Sequence, residues 1–142
     1  MIDSHSHIYM ERYRDDRDAV IARAAAAGVT QLLQVGCDLE ESRTVVALSA
    51  HVSGIYAAVG VHPHQATSVG PEVLDALEAL VQAPKVLAWG EIGLDFYYDH
   101  SPRDIQQAVF AAQLQRAIQC NVPVVIHTRE AERATLDLLQ DY

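Results

Sequence analysis

The chain has 142 residues, 50% hydrophobic and 20% charged, which suits the core of a single domain over 1–142 and excludes a disordered or fibrous protein. A formal net charge of −9 excludes a broad DNA-coating surface, yet permits a phosphate substrate at a cleft neutralised by divalent cations. Cys37 and Cys120 give no disulfide framework and no apolar run reaches transmembrane length, so a soluble cytoplasmic protein with no membrane contact is expected.

The first apolar run, residues 1–3, leads into His5 and His7, where a signal peptide would need basic and then apolar residues. On an extended strand the two rings point to one side, as a pair of imidazole ligands or simply as a polar strand end. A helix is expected at about 15–27, stopped by Gly28. The second run, 31–35, ends in Gly36-Cys37-Asp38 and precedes a helix at 40–51. Cys37 has no partner that marks it as a nucleophile and reads as a small packing residue.

The third run, 55–61, ends in His62-Pro63-His64. Pro71 then opens a helix at 71–82, with Val73, Leu74, Leu77, Leu80 and Val81 as its apolar stripe. The fourth run, 86–89, ends in Gly90-Glu91 and is followed by Gly93-Leu94-Asp95 and Phe96-Tyr97-Tyr98. Ser101 reads as the cap of a helix at 102–119, whose buried face is Phe110, Leu114, Ala117 and Ile118. The fifth run, 122–126, ends in His127-Thr128-Arg129, and a last helix starts near 130. Strands alternating with helices imply βα repeats and a parallel sheet.

Run after run is apolar and then turns polar, and parallel strands present their C-terminal ends at one edge. Five of the seven histidines follow this pattern; His51 and His100 do not. His5, His7, Glu91 and His127 together suit one or two divalent metals, among them Zn, Mn, Mg or Co, against the plain alternative of four unrelated strand ends. His62 and His64 can serve as metal ligands, as phosphate or substrate contacts, or as structural hydrogen-bonding groups. Asp95 either orients a ligand histidine or braces the loop after it. Arg129 either grips an oxyanion in the same site or forms a surface ion pair. The aromatics at 96–98 either stack on a base or seal the mouth of the site.

Four motifs carry a resemblance: Asp3-Ser4-His5-Ser6-His7, Val59-Gly60-Val61-His62-Pro63-His64, Gly90-Glu91-Ile92-Gly93-Leu94-Asp95-Phe96-Tyr97 and Ile126-His127-Thr128-Arg129-Glu130-Ala131. In this order they resemble the TatD-type metal-dependent deoxyribonucleases of the amidohydrolase-like barrel superfamily. The resemblance implies a TIM (β/α)8 barrel, of which about the first five βα units are present. It also implies hydrolysis of DNA phosphodiesters, typically from a 3′ end, by metal-activated water. Carried over by position, His5 and His7 bind one metal, Glu91 bridges, and His127 holds the second. Glu91 and Arg129 are the expected catalytic residues, and His62, His64 and Arg129 the expected substrate contacts. DNA, single-stranded or at its 3′ ends, is the expected partner.

A complete barrel needs about 250 residues, and the family's further histidine and aspartate are expected on strands six and seven. The chain is therefore expected to be the N-terminal part of a longer protein, the alternative being a short product completed by a second copy. Two rival functions remain. One is a barrel hydrolase of amide, lactone or aminoacyl ester bonds; the other is a catalytically inactive metal-binding fragment.

Overall fold

Each apolar run becomes a strand and each amphipathic stretch a helix, in a computed structural model that describes residues 1–142. The order is β1 (Ile2–Ser6), α1 (Arg17–Ala26), β2 (Gln31–Val35), α2 (Leu39–His51), β3 (Ile55–Val59), α3 (Pro71–Val81), β4 (Val86–Asp95), α4 (Arg103–Cys120), β5 (Val124–Arg129) and α5 (Glu132–Leu139). Short 3-10 turns lie at Glu11–Tyr13 and Pro63–Ser68. The five strands form one parallel sheet in the order β1-β2-β3-β4-β5. This is the expected incomplete barrel: five βα units side by side, with β1 and β5 as open edges.

The helix boundaries follow local chemistry. Asp38 caps α2 by accepting the Glu41 N–H at 2.8 Å. Pro71 sits in the first turn of α3. Gly28, at φ 87°, follows the last turn of α1 as its stop. Ser101 does not cap α4; Pro102 occupies the cap, and the Ser101 hydroxyl donates to the His64 carbonyl at 3.0 Å.

Most of the core lies between the sheet and its helices. Trp89, Ile92 and Leu94 from β4 meet Phe110, Leu114 and Ala117 from α4 and Leu77 and Val81 from α3. Ile118, expected on that buried face, is 55% exposed instead. Its place among the contacts to the sheet is taken by two fully buried glutamines. Gln106 accepts the Asp95 N–H and donates to the Asp95 and Ser101 carbonyls. Gln113 accepts the Val61 N–H and the Trp89 indole N–H, and donates to the Val61 carbonyl. On the other face of the sheet a smaller cluster joins Val35, Ala58 and Ala88 to Leu33 and Val125. Beside it an open groove of about 300 Å³ is lined by Ile2, Leu33, Tyr56 and Leu87, among others.

Several strand ends differ from those expected. β1 extends to Ser6, so His5 lies in the strand and not beyond it. β3 stops at Val59, two residues early, and β5 is shifted to Val124–Arg129, which places His127 within it. The largest difference is β4, expected at 86–89 and observed through Asp95. Trp89 and Ile92 both face the helices, although strict alternation would put them on opposite faces. The register against β5 shifts between these two residues, and that irregularity changes the phase of the strand. It turns Glu91 away from the helix-facing core.

Candidate metal centre

Glu91 is the hub. Its side chain is 9% exposed, and its two oxygens meet different histidines. Oε2 lies 3.2 Å from His5 Nε2, which in turn lies 3.2 Å from His7 Nε2. Oε1 lies 3.1 Å from His127 Nδ1 and 4.0 Å from His62 Nε2. Two groups result, His5–His7–Glu91 and His62–Glu91–His127, and within each the ligand atoms lie no more than 4.8 Å apart. Imidazole nitrogens and a carboxylate at this spacing suit a borderline divalent ion, and a carboxylate shared by both groups suits a pair. The donor set fits one or two metals. The cleft above it, about 260 Å³, is lined by His7, His62, His64, Cys37 and Glu91, with Met10 and Gln65.

Glu91, His62 and His7 stand in protonation states suited to ligation. Burial raises the Glu91 carboxyl, but the His127 hydrogen bond and the neighbouring imidazoles outweigh it and hold the group below its ordinary value. Burial, then the charge of His127, lowers His62 to about 4. Burial, then His5, also lowers His7. Both His62 and His7 therefore favour the neutral imidazole near neutral pH. His127 goes the other way, raised chiefly by its hydrogen bond to Glu91.

Asp95 contacts both the histidines beside it and the loop after it. Its Oδ2 lies 3.0 Å from His127 Nε2 and 2.9 Å from His64 Nε2. Its Oδ1 accepts the N–H groups of Tyr97 at 3.1 Å and Tyr98 at 2.9 Å. Burial raises this carboxyl, yet these hydrogen bonds win and hold it well below its ordinary range. With Nε2 occupied by Asp95, His127 directs Nδ1 toward Glu91, the arrangement of a carboxylate-oriented ligand. Gly93 permits the packing beneath: its φ is 141°, and a Cβ there would lie 2.0 Å from the His127 carbonyl oxygen.

His62 and His64 share one corner but play different parts. His62 faces Glu91 with Nε2 and accepts the His64 N–H at Nδ1, whereas His64 turns to Asp95. Arg129 makes no surface ion pair. Its guanidinium lies over the rings of Tyr97 at 4.2 Å and Tyr98 at 4.6 Å, at the rim and outside both ligand groups.

Two further residues belong to the site. Tyr9 Oη lies 3.4 Å from His7 Nδ1 and donates to Glu41 Oε2 at 2.6 Å. Burial, then the Glu41 hydrogen bond, pushes the Tyr9 phenol far above its ordinary value, so it remains a neutral donor. The Tyr9 oxygen can then accept only from a protonated His7 Nδ1, which leaves His7 Nε2 for a metal. Asp38-x-x-Glu41 has the spacing of a capping box and signals the helix start, but nothing in that spacing points to Tyr9.

Residues 2–142 match the family described as TatD related DNase. The 3′-5′ ssDNA/RNA exonuclease TatD of Klebsiella pneumoniae strain 342 is 39% identical over 142 residues, which cover 100% of this chain and 54% of that protein. A Bacillus subtilis strain 168 protein, named uncharacterized metal-dependent hydrolase YabD, is 36% identical over 141 residues, 99% of this chain and 55% of that protein. The crystal structure of YJJV, a TatD homologue from Escherichia coli K12, aligns with a TM-score of 0.93 and 31% identity, covering 99% of this chain and 55% of that one. The chain spans about half the length of the relatives it matches.

Proposed function

Because this chain belongs to the TatD-related DNase family, we propose that it supplies the metal-binding half of a hydrolase that cleaves DNA phosphodiester bonds, removing nucleotides from a 3′ end. One observation carries the reading: the Glu91 carboxylate turns one oxygen to His5 and the other to His127. Divalent ions supply such a centre with Lewis acidity, polarising a phosphoryl oxygen and making water acidic enough to attack near neutral pH.

The chain's own residues then have separate tasks. His5, His7, Glu91 and His127 hold the ions, with His62 completing the second group. Asp95 fixes the His127 ring, and Tyr9 with Glu41 fixes the His7 ring. His64 and Arg129 meet the substrate phosphate at the rim, Arg129 by its two-pronged guanidinium. No activated Ser or Cys is required; burial raises the Cys37 thiol to about 12, where it is a poor nucleophile. The substrate is a single strand or a frayed 3′ end. We place the enzyme in a reducing compartment, the cytoplasm, supported by Cys37 and Cys120 standing unpaired.

The test is release of nucleotides from a 5′-labelled single-stranded oligonucleotide with added manganese, beside metal analysis of the same samples. The full-length protein that carries this chain is expected to shorten the strand from its 3′ end, and its Glu91→Gln variant to lose both metal and cleavage. Hydrolysis of an amide or lactone panel without nucleotide release would replace the nuclease by another barrel hydrolase. Metal binding with no turnover of any substrate would leave an inactive metal-binding fragment.

A further inference from the structure

We propose that the parallel rings of Tyr98 and His100, with Tyr97 standing edge to face against Tyr98 as a side wall, form a stacking platform for one unstacked base of a single-stranded polynucleotide, DNA or RNA, beside the metal centre. The platform rests on the nucleic-acid reading above and gives it a subsite.

Tyr97 and Tyr98 are 53% and 49% exposed, two neighbouring aromatic side chains half in water at the rim where β4 ends. Their backbone is nevertheless fixed, because Asp95 Oδ1 accepts both of their N–H groups. The rings are ordered as well. Tyr97 meets Tyr98 edge to face at 4.7 Å, and Tyr98 lies parallel to His100, with an interplanar angle of 3° and centroids 5.4 Å apart. Aromatic surface that is exposed yet already ordered loses little freedom when a flat ligand settles on it.

The charge around it fits a nucleotide. Arg14, Arg23, Arg103, Arg116 and Arg133 each pair with a carboxylate. Arg129 lies instead across Tyr97 and Tyr98 and pairs with none. Arg12, Arg17 and Arg43 also lack a carboxylate partner, but none of them lies over Tyr97 or Tyr98, so in a chain of net charge −9 Arg129 is the cation that stands where a phosphate would follow a stacked base. The metal centre is close. The His64 ring is 5.5 Å from Tyr98, 4.6 Å from His100 and 4.3 Å from His62, whose Nε2 faces Glu91. A base on the platform therefore belongs to a nucleotide next to the bond being cut. Stacking reads a π-face that every base has, so the platform confers preference for unpaired strands without base preference. A lactone or amide substrate has no use for it.

The test is fluorescence anisotropy of a 5′-labelled oligodeoxythymidylate against the chain in a metal chelator, which prevents cleavage during the titration. Its counterpart is a strand of equal length with abasic units at its 3′ end. Wild type is expected to bind the base-bearing strand about tenfold more tightly, the scale of a single base–aromatic stack. The double variant Tyr97→Ala/Tyr98→Ala is expected to bind both strands alike, at the abasic level, while Tyr97→Phe/Tyr98→Phe keeps the preference. Circular dichroism checks that the variants fold, and the comparison of the two strands on wild type needs no variant. Equal binding of both strands by wild type, or a preference that survives the alanine variant, overturns the platform and leaves oligothymidylate cleavage by the full-length protein as support for the nuclease. If wild type binds neither strand and the full-length protein cleaves neither, the nuclease reading falls and the platform with it.

Discussion

His7 shows how much of a histidine's behaviour is decided one contact away. Its Nε2 faces His5, while its Nδ1 meets the phenol of Tyr9, whose own proton is committed to Glu41. Tyr9→Phe removes the acceptor without removing the ring. The expected result is about a tenfold loss of affinity for manganese or zinc, as is typical when the group orienting a metal ligand is lost. Isothermal titration of the metal-stripped protein measures this, and an unchanged affinity would show that Tyr9 merely fills space. The opening strand alone identifies His5 and His7 as a pair, because that depends on spacing. Tyr9 and Glu41, 32 residues apart, are joined only by the folded chain.

At the scale of elements, the parts readable in the sequence are those governed by local rules. The stop at Gly28, the first-turn proline of α3, and β2 at Gln31–Val35 all depend on neighbouring residues. The parts that escape depend on partners elsewhere. The irregular register at Trp89–Ile92 hides the true length of β4, since Glu91 looks like an ending when it is a change of phase. Helix α4 is the clearest case. Its apolar spacing places Ile118 on the buried face with Phe110, Leu114 and Ala117, yet Ile118 is exposed and two buried amides share that face with the other three. Gln113 alone satisfies two donors and one acceptor on β4 and the segment after β3. Gln113→Leu keeps the bulk and strands those groups away from water, at a cost of about 3 kcal/mol. Urea unfolding should show a lower midpoint with an unchanged slope; a loss well under about 1 kcal/mol would mean that water replaces the amide.

At the scale of the whole molecule, one face of the sheet is clothed by helices and the other is largely bare. Ile2 and Leu87 are 65% and 47% exposed there, beside the groove that also takes in Leu33 and Tyr56. The 142-residue chain is accordingly expected to bind the dye anilinonaphthalene sulfonate at neutral pH while unfolding cooperatively, and Leu87→Lys to weaken the signal. Absence of dye binding would show that this face is covered in solution. The same side-by-side layout bears on how the chain acquires its shape. Every strand pairs with the strand immediately before or after it in the chain, so each unit can dock as soon as it is made, with only one helix-length loop to close. The centre cannot mature at that pace. His5 and His7 are in place from the first strand, but the acid that unites them with His127 arrives only on the fourth, so the cluster closes late in a build that otherwise proceeds steadily from the N-terminus.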